Sequence, residues 1–181
     1  MDPLVASGKT SCYLPASRFP WAMGLALEEA ATALELGEVP VGAVVFWEGE
    51  PAARAHNLRE TRADPLGHAE LLAIAEASRR LGRWRLDAAA LVVTLEPCPM
   101  CMGAILQARI PLLVYGAADP RAGAAGSLYD LSDDPRLNHR VEVHRGVRQE
   151  EASRLLRDFF EGRRGRRDEI ERRGGRVVEG G

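Results

Sequence analysis

The segment "ALVVTLEPCPMCMGAILQARIPLLVYGA", residues 90 to 117, constrains the fold more than any other part of the chain. Its two ends, "ALVVTLE" and "PLLVYGA", are short apolar runs that read as strands, and the stretch between them reads as a helix. A strand, helix and strand so close together imply a parallel pair joined by a right-handed crossover.

The rest of the chain extends this α/β pattern without internal repeats. "RFPWAMGLALEEAATALELGE" has apolar residues at helical spacing, Pro20 where a first turn tolerates it, and Gly37 as a stop. "VGAVVFW" and residues 51 to 56 read as a hairpin around "EGE". "HAELLAIAEASRRLG" is a second amphipathic helix ending at Gly82. A long Gly-, Asp- and Pro-rich connection covers residues 117 to 139, and loops of that length are usually functional. "RVEVHRGV" reads as a last strand and "QEEASRLLRDFFEGRR" as a last helix. The first 16 residues and the Gly- and Arg-rich segment 165–181 read as poorly ordered extensions of a domain at 17–164.

With 181 residues, 46% of them apolar, the chain can bury one good core and little more. Its longest apolar stretches, "VPVGAVVFW" and "ALVVTL", fall far short of the roughly 20 residues that span a bilayer. The first 20 residues lack a continuous signal-peptide core. A soluble, cytoplasmic protein is expected. The formal net charge of −2 hides a gradient along the chain. From Arg154 to Arg176 nine arginines face five acids, so that segment carries +4 and the remainder −6. Such a segment is either a solvated helix end laced with ion pairs or a phosphate-facing helix.

Three cysteines, with Cys12 far from Cys98 and Cys101, do not make the even framework of a disulfide-stapled secreted protein. Pro97 and Pro99 bracket Cys98 at a helix start, which puts Cys98 and Cys101 on one face of the first turn. A helix N-terminus favours thiolate, which suits a zinc ligand and equally a redox dithiol. A second motif, "GHAEL", decides between them. On a regular helix His68 and Glu70 would point to nearly opposite sides, but at a helix start His68 can sit at the cap while Glu70 lies in the first turn. One histidine and two thiolates leave a tetrahedral zinc ion one open position, and open zinc sites are catalytic.

His-x-Glu followed by Pro-Cys-x-x-Cys resembles the signature of the zinc-dependent nucleoside and nucleobase deaminases. Within that group the chain is similar to the bacterial tRNA-specific adenosine deaminases. The residues that carry this narrower resemblance are "GEVPVGAVV", Asn57, "DPLGHAEL", "TLEPCPMCMGAI", "YGAADPRAGAAGSLYDL", "NHRVEV" and "LLRDFF", in order from about residue 21 to 164. Leu66-Gly67 stands where Thr-Ala is expected.

The resemblance implies a three-layer α/β/α, cytidine-deaminase-like fold around a mixed five-stranded sheet. It implies one Zn²⁺ per chain held by His68, Cys98 and Cys101, with Glu70 shuttling protons during hydrolytic deamination of adenosine to inosine at the wobble position of an arginine tRNA. Asn57 and Asn138 are then expected near the flipped base, and Asp119 and Phe159 near neighbouring nucleotides. Arg163 and Arg164 are expected on the phosphates of the anticodon stem-loop, and a homodimer is implied. Two alternatives stay open: a deaminase of a free base or nucleoside such as guanine or cytosine, and a structural zinc module with His139 or His144 as fourth ligand.

Overall fold

The computed structural model describes residues 14–174, with side chains to Arg164. The expected N-terminal extension lies outside the described residues up to position 13, Cys12 included, as do the last positions, 175–181. After a 3-10 turn at Ala16–Arg18 come α1 (Phe19–Glu35), β1 (Gly42–Trp47), β2 (Glu50–His56), α2 (Ala69–Leu81), β3 (Ala89–Leu95), α3 (Pro99–Gln107), β4 (Leu112–Ala117), β5 (Glu142–His144) and α4 (Gln149–Gly174).

The sheet runs β2-β1-β3-β4-β5. β1 is antiparallel to both β2 and β3, whereas β3, β4 and β5 are parallel. The expected hairpin and the parallel crossover are thus both present, on one sheet of mixed sense. β5 is shorter than "RVEVHRGV" suggested, because only three residues pair with β4. α4 is longer than expected and runs past Gly162 and Gly165 to Gly174.

Strand alternation divides the core into two layers. On one face Ala43, Val45, Leu91, Val93 and Leu113 pack against Ala69 and Ala73 of α2 and Met102 and Ile105 of α3. On the other, Val44, Phe46, Ala90, Val92 and Val114 pack against Met23 and Ala26 of α1 and Ala152 of α4. β3 is central and covered on both sides, which is why its sequence is apolar without alternation. α1 lies so close to β1 that a Cβ on Gly42 would stand 2.0 Å from the Ala26 carbonyl oxygen. Among the described residues, no helix is long and apolar enough to cross a membrane.

Candidate active site

The sheet geometry sets two helix N-termini side by side. His68 is the N-cap of α2 (φ −78°, ψ 141°) and Cys98 the N-cap of α3 (φ −72°, ψ 172°). Both caps are extended, and neither side chain makes a capping hydrogen bond, so both can point at a shared centre. Cys101 follows within the first turn of α3 and is buried. The positive ends of both helix dipoles face the cluster, which favours thiolate there.

The three donor atoms converge. Cys98 Sγ lies 3.7 Å from Cys101 Sγ, and His68 Nδ1 lies 3.8 Å from Cys98 Sγ and 3.5 Å from Cys101 Sγ. A tetrahedral zinc ion with sulfur at about 2.3 Å and nitrogen at about 2.0 Å holds its ligands about 3.5 to 3.8 Å apart. The three atoms therefore already stand at the corners of such a site, and the group can hold a metal ion. The charges agree. Hydrogen bonding from Cys101 holds the Cys98 thiol at about 4 against its burial, with His68 assisting. Cys98 and burial in turn push Cys101 up.

Neither His139 nor His144 joins this group. His139 Nε2 bonds the Ile110 carbonyl, and His144 Nε2 bonds Glu142. A fully protein-ligated structural zinc site built on either histidine is therefore not formed among the described residues.

Glu70 sits in the first turn of α2, buried, on the wall of a cavity of about 180 Å³ that also touches His68, Cys98, Asn57 and Asp119. Burial pushes its carboxyl above the ordinary carboxylate range. A buried carboxyl beside a metal-binding group is placed to accept and pass on protons.

Asn57 and Asp119 come to the same cavity from different loops. The Asn57 side-chain amide donates to Glu38 Oε2 at 2.9 Å. Asp119 Oδ1 accepts the backbone N–H of Arg121 at 2.9 Å and of Ala122 at 3.2 Å, closing an Asx turn at the cavity mouth. Beyond the mouth lies an outer groove of about 710 Å³, between the 118–121 loop and α4, which shares Val39, Leu95 and Asp119 with the inner cavity. Arg163 and Arg164 line it, as do Arg121 and Arg157.

Two expected residues fall elsewhere. Phe159 is only 5% exposed and packs edge-to-face on Phe160, whereas Phe160 is 48% exposed and lines the groove. Consecutive helix positions point about 100° apart, and the phase of α4 gives the groove to the second phenylalanine. Asn138 is exposed and accepts a hydrogen bond from Arg109, which follows the far end of α3 from Cys98. It lines neither cavity.

Sequence reasoning assigned no role to two buried carboxylates on these loops. Glu38 accepts from Asn57 and from the backbone N–H groups of Glu60 and Thr61. Glu96 accepts from the backbone of Asp119, Ala125 and Ser127. The available signal was an acid directly flanking each of the apolar runs "VPVGAVV" and "ALVVTL".

A mixed sheet in this order, layered by helices on both faces, is the cytidine-deaminase-like fold, and a deaminase is the class of enzyme to which fold and donor set point. The chain belongs to the MafB19-like deaminase family, whose model matches residues 19–164. It is 52% identical over 135 residues to the tRNA-specific adenosine deaminase of Bacillus subtilis, which covers 75% of this chain and 84% of that protein. A solved structure from work on A-to-I editing by tRNA:A34 deaminases at the wobble position is 43% identical, with a TM-score of 0.72, over 75% of this chain and 99% of its own. The guanine deaminase of Nitrosomonas europaea is 27% identical, with a TM-score of 0.65, over 77% of this chain and 83% of its own.

Proposed function

We propose that this protein hydrolyses adenosine to inosine at the wobble position of tRNA, an arginine tRNA by resemblance, in the cytoplasm and as a homodimer. Residues 17–164 form the catalytic domain. His68, Cys98 and Cys101 hold one Zn²⁺, and their separations match a tetrahedral centre. When bound, zinc supplies a Lewis acid that makes water nucleophilic near neutral pH.

Glu70 is the proton carrier. It takes a proton from the attacking water and delivers it to the adenine ring nitrogen, then takes the remaining proton of the newly attached hydroxyl and gives it to the amino group, which leaves as ammonia as the carbonyl forms. Its burial suits the first of these roles, since a carboxylate held in an apolar wall takes up a proton more readily than an exposed one. Asn57, which also lines the cavity, orients the base, its amide held by Glu38. Asp119 guards the mouth.

One observation favours RNA over a free base: the small inner cavity opens onto the larger outer groove lined by Arg121, Arg157, Arg163 and Arg164. The inner cavity has room for a single base, and the groove offers arginines to phosphates and Phe160 to a neighbouring base. A free-base deaminase has no use for such a groove. The likeness to a guanine deaminase keeps that second reading worth testing.

The test is to incubate zinc-loaded protein with an anticodon stem-loop carrying adenosine at the wobble position, and separately with free guanine and cytosine. Inosine in the digested stem-loop, with the free bases untouched, is the expected result. Turnover of a free base with no inosine in RNA overturns the reading.

A further inference from the structure

Glu96 is 2% exposed, and the proton transfers described above make no use of it. Its Oε2 accepts the backbone N–H of Asp119 at 3.0 Å, and its Oε1 accepts those of Ala125 and Ser127, each at 3.0 Å. The Ser127 hydroxyl donates to Oε2 as well. The backbone N–H of Glu96 itself donates to the Ala117 carbonyl, and that of Ala124 to the Pro97 carbonyl, each at 2.8 Å. The 118–127 loop is thus wound around a carboxylate two residues before Cys98.

Gly123 gives independent support. A Cβ there would stand 2.4 Å from both Cδ and Oε2 of Glu96, and 2.6 Å from the Asp119 carbonyl oxygen. The loop closes on the carboxylate because no side chain intervenes. Asp119, the residue tied to Oε2, borders both the inner cavity and the outer groove.

We infer that Glu96 is a positioning residue: it sets Asp119, and with it the mouth of the cavity, in register with the metal-binding turn that begins at Cys98. The inference rests on the deaminase reading above. Backbone donors bound to a charged acceptor make strong, directional contacts, so a single buried carboxylate can fix a loop that has little secondary structure of its own. Because Glu96 and Cys98 leave the end of β3 together, metal ligand and loop anchor share one rigid origin.

Glu96→Gln and Gly123→Ala test this from two sides. In Glu96→Gln the amide oxygen can keep the Ala125 and Ser127 donors, while the amide nitrogen meets the Asp119 N–H donor to donor. Gly123→Ala displaces the carboxylate while leaving its chemistry intact. Both variants should keep one zinc per chain and raise KM for the anticodon stem-loop roughly tenfold, the factor equivalent to about 1.4 kcal/mol, with kcat changed far less.

Glu96→Gln should add nothing to Asp119→Ala in a double-mutant cycle, since it acts through that residue. An unchanged KM in both single variants, or full additivity in the cycle, overturns the role. Wild-type protein that leaves the stem-loop unmodified refutes the functional reading instead. Amide hydrogen exchange over 118–127 then decides the role of Glu96: roughly tenfold faster exchange in Glu96→Gln is expected, and unchanged exchange overturns it.

Discussion

Replacing Glu38 by glutamine removes one acceptor from a buried cluster that needs both. Glu38 is fully buried, and its Oε1 accepts the Thr61 N–H at 2.6 Å, while Oε2 accepts Asn57 Nδ2 at 2.9 Å and the Glu60 N–H at 3.2 Å. A glutamine amide nitrogen must occupy one of the two oxygen positions, facing either Thr61 or the Asn57 and Glu60 pair donor to donor. Hydrogen bonds to a charged acceptor contribute about 1.5 to 3 kcal/mol each, so the loss of one is expected to destabilise the protein by about 2 kcal/mol. In a domain of this size that lowers the melting midpoint by about 4 to 8 °C.

The pH dependence of that loss is fixed by the same contacts. Burial alone would raise the Glu38 pKa, but the backbone and side chain of Thr61, the Glu60 N–H and the charge of Arg163 outweigh it, and the net shift is downward. A carboxyl with a depressed folded-state pKa contributes stability above its ordinary value of 4.5 and loses it as pH falls through the folded-state value. The gap in melting midpoint between wild type and Glu38→Gln should therefore be full at pH 7 and shrink below pH 4.5. Differential scanning calorimetry across that range reads both effects. A gap that is absent at pH 7, or that widens on acidification, would refute the reasoning.

Cys101→Ala should lose the metal, and elemental analysis showing one zinc per chain in that variant would sink the ligand assignment. Glu70→Gln should keep zinc and the fold while turnover falls by at least about a hundredfold, the usual contribution of a general acid–base group; near-normal turnover places the proton carrier elsewhere. Phe160→Ala should raise KM for RNA with little change in melting midpoint, whereas Phe159→Ala should destabilise by about 3 kcal/mol or more as a buried aromatic; equal effects of the two would refute the helical phase described for α4. Replacing Arg163 and Arg164 together by alanine should flatten the salt dependence of RNA affinity by about one to two logarithmic units of slope, and identical slopes would remove both from the RNA surface.

Much of the candidate site is legible in the chain because it depends on short spacings. Cys98 and Cys101 share a helical turn whatever surrounds them, and the run from β3 through α3 to β4 is long enough for only one kind of crossover. His68-x-Glu70 is likewise local: the cap at His68 frees its imidazole, while Glu70 enters the first turn. Spacing of this sort is a property of neighbours two or three positions apart, and it survives into the structure.

What the tertiary structure decided are the partners of groups far apart in sequence. Nothing in "GEVPVG" shows that Glu38 will meet the N–H groups of residues 60 and 61, or in "TLEPC" that a loop some 25 positions later will close on Glu96. Those contacts exist because irregular backbone buried beside a cavity must satisfy its donors, and which acceptor is at hand is settled only when the sheet and its covering helices are assembled. Packing likewise chose between Phe159 and Phe160, and drew Asn138 toward Arg109 rather than toward the cavity. It is also only in the assembled chain that α4 runs on through Gly162 and Gly165: each glycine costs a helix about 1 kcal/mol, a penalty too small to end a helix already nucleated and docked against β4 at its N-terminal end.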